Sequence, residues 1–425
     1  TGVQTCALPI FLLVYIILAL TFGYTMIVAE SALGRMTRKS PVGAFRSFAK
    51  GKKVGWLSFG GWINAIIPVL IVPYYSVIGG WVVKYLFEYI RGNGSKLAED
   101  GYFSGFISNG GATEICFVIF CMFTLVIIYA GVQNGIERVS KIMMPILIVL
   151  SVIIAIYSVT RPGAIEGVKY FLVPNVKNFS WMTVVAAMGQ MFYSLSIAMG
   201  ILVTFGSYMR KDTSIEDSTR NVEIFDTAIA MMAGLMIIPA VFAFSGGDPD
   251  TLQAGPSLMF ITIPKVFANM GFGTAVGILF FVLVLFAAVT SSIALTESAV
   301  STFEDELGWG RKKATVLTGV IMIALGTLSC LGYGPLDFVK IIGMQFLDFF
   351  DFLTNSVMMP IAALMTSLLV SRVIGVDKIE EEIRHGESAF RRKKIFVVMI
   401  KYLCPIFALI ILASSVANAF GWIVM

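Results

Sequence analysis

Ten apolar stretches, each long enough to cross a lipid bilayer, constrain this chain more than any other feature. They run over roughly 9–33, 55–90, 112–131, 138–160, 182–209, 222–246, 274–303, 313–333, 347–373 and 395–424. A spanning helix needs about 20 apolar residues, because the hydrocarbon core is about 30 Å thick. Within lipid every backbone N–H and C=O must find a partner in the protein, which leaves helices or closed barrels. The stretches are too long for barrel strands and lack period-two alternation. The expected fold is therefore an all-α integral membrane bundle of ten spans. Composition agrees: only 13% of residues are charged and 57% are hydrophobic, where a soluble protein carries about 25% charged residues.

Charge placement orients the bundle. If the loops at 34–54, 132–142, 207–221, 303–315 and 371–394 share one side, they hold 22 of the 31 Lys and Arg. The positive-inside rule makes that side cytoplasmic. Arg391-Arg392-Lys393-Lys394 then reads as a juxtamembrane anchor beside the lipid headgroups, and no nucleic-acid partner is expected. No linker divides the chain, so one domain is expected. Between the sixth and seventh stretches lies Gly246-Gly247-Asp248-Pro249-Asp250, then an amphipathic run from Leu258 to Met270. It is too short to span; it reads either as an external hairpin dipping toward a site or as a plain loop.

Enzyme signatures are absent. One histidine, His385, excludes a His-Glu-x-x-His zinc site, and no phosphate-binding glycine loop is present. Cys116, Cys121, Cys330 and Cys404 lack metal-ligand spacing and read as core residues. Gly332-Tyr333-Gly334 has the Gly-Tyr-Gly of a potassium filter, but Cys330-Leu331 precede it and ten spans do not suit a two-helix pore unit.

The informative stretch is the fifth. Gln190, Ser194, Ser196 and Gly200 stand at its centre, where a lipid-facing helix would carry Leu. Backbone at membrane depth leaves the helix only where protein or a wet cavity satisfies it, and such broken spans mark ion and substrate sites near the midplane. Five acids within the apolar stretches are singled out: Glu30, Asp226, Glu297, Asp348 and Asp351. A charge in hydrocarbon is costly, so each is a candidate for function or a satisfied structural acid. Asp226 has no Lys or Arg near it in its span. An ionised Asp226 wants a cation; protonation and a hydrogen-bonded structural role are the alternatives. Thr290-Ser291-Ser292 offers three successive hydroxyls, weak neutral ligands that suit a monovalent ion, or small residues that suit helix packing.

Together these motifs resemble the neurotransmitter:sodium symporter family, bacterial branch, with its LeuT-type fold. The resemblance rests on Glu30-Ser31-Ala32-Leu33-Gly34-Arg35, on Tyr74-Tyr75, and on Gly189-Gln190-Met191-Phe192-Tyr193-Ser194-Leu195-Ser196. It continues through Ser207-Tyr208-Met209-Arg210-Lys211-Asp212, Asp226-Thr227, Pro239-Ala240-Val241-Phe242-Ala243, Thr290-Ser291-Ser292 and Asp305-Glu306-Leu307. It implies an inverted-repeat bundle in which residues 181–373 form the complete second repeat.

The resemblance also implies a site. One sodium ion would be held by Ser194 and Asp226, a second by the Ala287 carbonyl and the Thr290 and Ser291 hydroxyls. An amino-acid substrate would touch Ile71, Tyr75, Tyr193, Ser194, Ser196, Met199, Ser292 and Leu295. Gln190 and Asp351 would belong to an external gate, and Glu30 would brace the broken helix. No organic cofactor is expected. A fixed carboxylate at Asp226, where many relatives carry Asn, implies chloride independence. Met199, in place of a narrowing phenylalanine, implies room for bulky apolar or aromatic amino acids. The activity expected is sodium-driven amino-acid import across a bacterial inner membrane. The rival reading is a substrate-sensing receptor or a non-transporting remnant of the same fold.

Two features of the N-terminus bear on that rival. The ten stretches align with the family's second through eleventh spans, so the first, a broken helix that contributes to both ion sites, is expected upstream. Residues 1–10 read either as an artefactual leader, because Gly2 to Ile10 read back into codons resemble a sequencing adapter, or as a genuine short N-terminus, with the transporter domain running from 11 to 425.

Overall fold

A computed structural model describes residues 8–49, 55–173, 179–247 and 255–422. Most of the expected leader, like Asp248-Pro249-Asp250, lies outside these residues. The described chain is all-helical. Nine helices are long and apolar enough to span among the described residues. They are α1 (Pro9–Thr37), α2 (Gly55–Ile90), α3 (Gly110–Tyr129), α4 (Val132–Val159), α7 (Ile215–Ser245), α8 (Gly273–Leu307), α9 (Arg311–Leu331), α10 (Phe346–Ile374) and α11 (Lys393–Ala419). The fifth expected span is instead two helices, α5 (Trp181–Ser194) and α6 (Ile201–Tyr208). The break accounts for the difference between ten expected spans and nine continuous ones.

Local signals set the ends of the broken span and of the helix after it. Ser180 caps α5, its hydroxyl accepting from the Met182 N–H at 3.1 Å. Ser214 caps α7 through the Asp217 N–H at 2.9 Å, and Glu216 and Asp217 place acids in the first turn, where the helix dipole favours them.

The centre of the bundle is the crossing of α2 with α8, and α1 runs beside both halves of the broken span. Close approach of α1 and α6 explains two glycines. A Cβ on Gly206 would sit 2.6 Å from the Ser31 carbonyl oxygen, and one on Gly34 would sit 2.8 Å from the Ser207 amide. Helices in lipid gain little from hydrophobicity and pack through such small residues.

Ion pairs fix the sidedness. Arg35, wholly buried, donates to Glu382 at 2.7 Å, and Lys211 reaches the same carboxylate at 2.7 Å. Arg46 pairs with Glu306 at 2.6 Å. These contacts join four of the basic loops, 34–54, 207–221, 303–315 and 371–394, on one face. On the opposite face Lys265 pairs with Asp100 at 2.5 Å and holds that carboxyl below the usual range.

The amphipathic run Leu258–Ala268 is helical and packs against the outer half of α2. Phe260 is buried, stacks on Phe103 with centroids 5.2 Å apart, and meets Trp81 edge-on at 5.7 Å. The Tyr85 hydroxyl donates to the Phe260 carbonyl at 2.8 Å. Through Phe260 this segment packs on Trp81 and Tyr85 of α2, away from the cavity described below.

Candidate functional site

The break between α5 and α6 has a specific backbone. Ser196, Ala198 and Gly200 all take left-handed conformations, with φ of 55°, 58° and 69°. For a non-glycine residue that conformation costs free energy and persists only where the surroundings impose it. Here they do. The Ala198 N–H, freed from the helix ladder, donates to Glu30 Oε1 at 2.9 Å. Glu30 is fully buried, and its other oxygen has no partner among the described residues. One acid from α1 thus satisfies an amide that lipid could not.

The break opens onto a cavity of 260 Å³. Seven residues expected to touch substrate line it: Ile71, Tyr75, Tyr193, Ser194, Ser196, Met199 and Leu295. Gln190 and Ser291 line it too, as do Ile201 and Ala294, which sequence reading did not single out. Apolar walls with a few convergent hydroxyls are the usual make-up of a small-ligand site.

Ser292 is the exception and corrects the expectation. It is fully buried and accepts from the Thr124 hydroxyl at 3.1 Å, between α8 and α3. The cause is helical phase. Ser291, Ala294 and Leu295 share the cavity face of α8, and Ser292 lies about 100° around the helix from Ser291.

Asp226 sits beside the break. Ser194 Oγ donates to its Oδ1 at 2.7 Å, and the Tyr15 hydroxyl donates to its Oδ2. Ser194 also borders the cavity, so this carboxylate adjoins the space a ligand would fill. Tyr15 was missed in the sequence; its only signal was a lone hydroxyl in an apolar stretch. Among the described residues no Lys or Arg pairs with Asp226. On α8, the Thr290 hydroxyl lies 3.0 Å from the Ala287 carbonyl oxygen, with Ser291 next in sequence. The residues of each expected ion site are therefore neighbours.

The two expected gate residues have different surroundings. Asp351 accepts from Tyr74 at 3.2 Å and from Asn355 at 2.5 Å, whereas Gln190 is exposed and makes no hydrogen bond among the described residues. The nearer partners sit on α2 and one turn along α10. Glu297 is a structural acid: Arg311 grips it at 2.5 and 3.1 Å, and Tyr208 donates at 2.7 Å. Asp348 accepts from Tyr333 at 3.2 Å. A further acid within a span, Glu114, was not anticipated and accepts from Thr327 at 2.6 Å.

The family model described as the sodium:neurotransmitter symporter family matches residues 102–421. The chain belongs to that family. Relatives of this symporter reach into the segment before residue 102. A protein of Bacillus subtilis named as an uncharacterized sodium-dependent transporter, YhdH, is 33% identical over 96% of this chain and 89% of its own length. One of Haemophilus influenzae, also named as a sodium-dependent transporter, is 30% identical over 95% of this chain and 90% of its own. The crystal structure of MhsT in complex with L-phenylalanine matches with a TM-score of 0.86 at 34% identity, covering 97% of this chain and 92% of that one. The symporter therefore has the LeuT-type fold and is a sodium-dependent multi-pass membrane transporter, in a family of transporters rather than enzymes.

Proposed function

We propose that this symporter imports amino acids with bulky apolar side chains, aromatic ones included, across a bacterial inner membrane. Two sodium ions drive each cycle, and chloride is not required. The observation that carries this reading is the Asp226 carboxylate, held by the Ser194 and Tyr15 hydroxyls with no cationic partner among the described residues. A sodium ion at Asp226 would balance its charge, so no anion is needed beside it. The second ion would take the Ala287 carbonyl and the Thr290 and Ser291 hydroxyls, all neutral ligands that release a monovalent ion readily. Each charge carried inward gains about 2.3 kcal/mol per 100 mV of membrane potential.

The solute class is supported by the cavity. Ile71, Met199 and Leu295 make it apolar, and Met199 repacks easily because its side chain is unbranched. The Tyr75 hydroxyl and Ser196 would face the solute's carboxylate end. MhsT, with its bound phenylalanine, is consistent with such a solute. Alternating access would rock part of the bundle about this cavity, with residues 181–373 as one repeat of an inverted pair.

Uptake of labelled phenylalanine into proteoliposomes tests the reading. Uptake should require a sodium gradient, persist when gluconate replaces chloride, and lose its sodium response in Asp226→Ala and in Thr290→Val. Equal uptake in choline medium would overturn it. Sodium-dependent binding without uptake would favour a sensor.

A further inference from the structure

A second depression lies away from the central cavity, on the outer surface of the bundle. It is a groove of 350 Å³ between α3 and α9, with walls that include Leu125, Val126 and Tyr129 from α3 and Thr315, Gly319 and Val320 from α9. Gly319 brings the two helices together: a Cβ there would lie 2.9 Å from Leu125 Cδ1. From Thr315 to Ile323 the groove follows about 12 Å of helix.

One end of the groove reaches the basic face. There Arg311 Nε donates to the Ile128 carbonyl at 2.9 Å and ties the start of α9 to the end of α3. Its guanidinium is committed to Glu297. The next two residues are not committed. Lys312 and Lys313 are exposed, and neither forms an ion pair among the described residues. The Lys312 ammonium stands 5.7 Å over the ring of Tyr129, itself a groove wall. The first turn of α9 has no side-chain cap at Gly310, so the positive end of its dipole faces the same place. A third observation lies within the groove. Thr315 is 3% exposed and its hydroxyl has no hydrogen-bond partner among the described residues.

We propose that this groove holds one anionic phospholipid from the leaflet on the basic face. An acyl chain lies along Gly319 and Val320, the Thr315 hydroxyl meets the ester region, and Lys312 and Lys313 hold the phosphate. The charge selects the occupant. A sterol or a neutral lipid fills the apolar part but leaves both lysines without a counter-charge. A second copy of the chain would bring two more lysines to the same mouth.

Native mass spectrometry of the full chain released from mixed phosphatidylglycerol and phosphatidylcholine nanodiscs tests this. One phosphatidylglycerol should be retained per chain, in preference to phosphatidylcholine. A lysine near an anionic headgroup contributes about 1 kcal/mol. At about 1.4 kcal/mol per tenfold, Lys312→Gln with Lys313→Gln should weaken retention about thirtyfold. Val320→Trp fills the groove, leaves both lysines in place, and should also abolish retention. Equal retention of both lipids, or unchanged retention in the lysine double variant, would overturn the proposal. So would cross-linking of Val316→Cys between copies in phosphatidylglycerol liposomes, because a second chain would then occupy the groove.

Discussion

The Ser194 hydroxyl donates to Asp226 Oδ1 at 2.7 Å, joining two residues 32 apart in sequence across the broken span. With Tyr15 on the other oxygen, each carboxyl oxygen accepts one hydrogen bond, and no Lys or Arg pairs with the group among the described residues. This arrangement suits a site that must bind a cation and then release it. Hydroxyls stabilise the ion-free carboxylate without neutralising it.

Tyr15→Phe probes that balance. It removes one donor from the ion-free state and leaves Asp226 Oδ2 unpaired, at a cost of about 1–3 kcal/mol. A sodium ion at Asp226, as proposed, would relieve that cost. The variant should melt at lower temperature without sodium, and sodium should raise its melting temperature more than it does for the wild type. An equal sodium-induced shift in both proteins would refute a link between Tyr15 and the ion.

Ser291 and Ser292 are adjacent but face different surroundings. Ser292→Ala removes the Thr124 contact and should destabilise the bundle by about 1 kcal/mol while leaving the KM for solute unchanged. Ser291→Ala, on the cavity face, should raise the sodium or solute requirement. Uptake titrations beside thermal melts separate the two effects.

Met199→Phe should narrow the cavity. A difference of about 1–3 kcal/mol in apolar pocket fit corresponds to roughly 10–200-fold discrimination. Competition by small aliphatic amino acids should strengthen relative to phenylalanine by at least the lower end of that range. An unchanged rank order would remove Met199 from the specificity argument.

Arg35 and Glu382 join the first spanning helix to the short helix Val376–Arg384 across 347 residues of sequence. Removing one partner of a buried pair costs about 3–5 kcal/mol, because the other charge is left uncompensated. Arg35→Ala should fall near the lower end, since Lys211 still reaches Glu382 at 2.7 Å. Replacing both residues together, as Arg35→Met with Glu382→Leu, should cost less than Arg35→Ala alone. Denaturation in detergent, read as a double-mutant cycle, gives the comparison.

Gly206→Val places side-chain carbons where the Ser31 carbonyl now lies, 2.6 Å from an added Cβ. Neither backbone can move without parting α1 from α6. A loss of about 1–3 kcal/mol is expected, as for overpacking in general. Retained stability would mean that the two helices do not cross as closely as described.

Hydropathy alone made the helical bundle legible, because lipid leaves a spanning backbone few options and each span is a local property of about 20 residues. The break was legible too. Gln190, Ser194, Ser196 and Gly200 are too polar or too flexible for a lipid-facing turn, and three of these four line the central cavity. What the sequence by itself could not decide was which hydroxyl faces which space. Ser291 and Ser292 are chemically identical neighbours, and only the seating of α8 against α2 and α3 turns one into the cavity and the other into a helix interface. The same holds for Tyr15, which meets Asp226 only because α1 and α7 pack side by side. Local composition fixes where a helix crosses the membrane. Which face it buries depends on its rotation and depth against neighbours far away in the chain, and only the assembled bundle sets those.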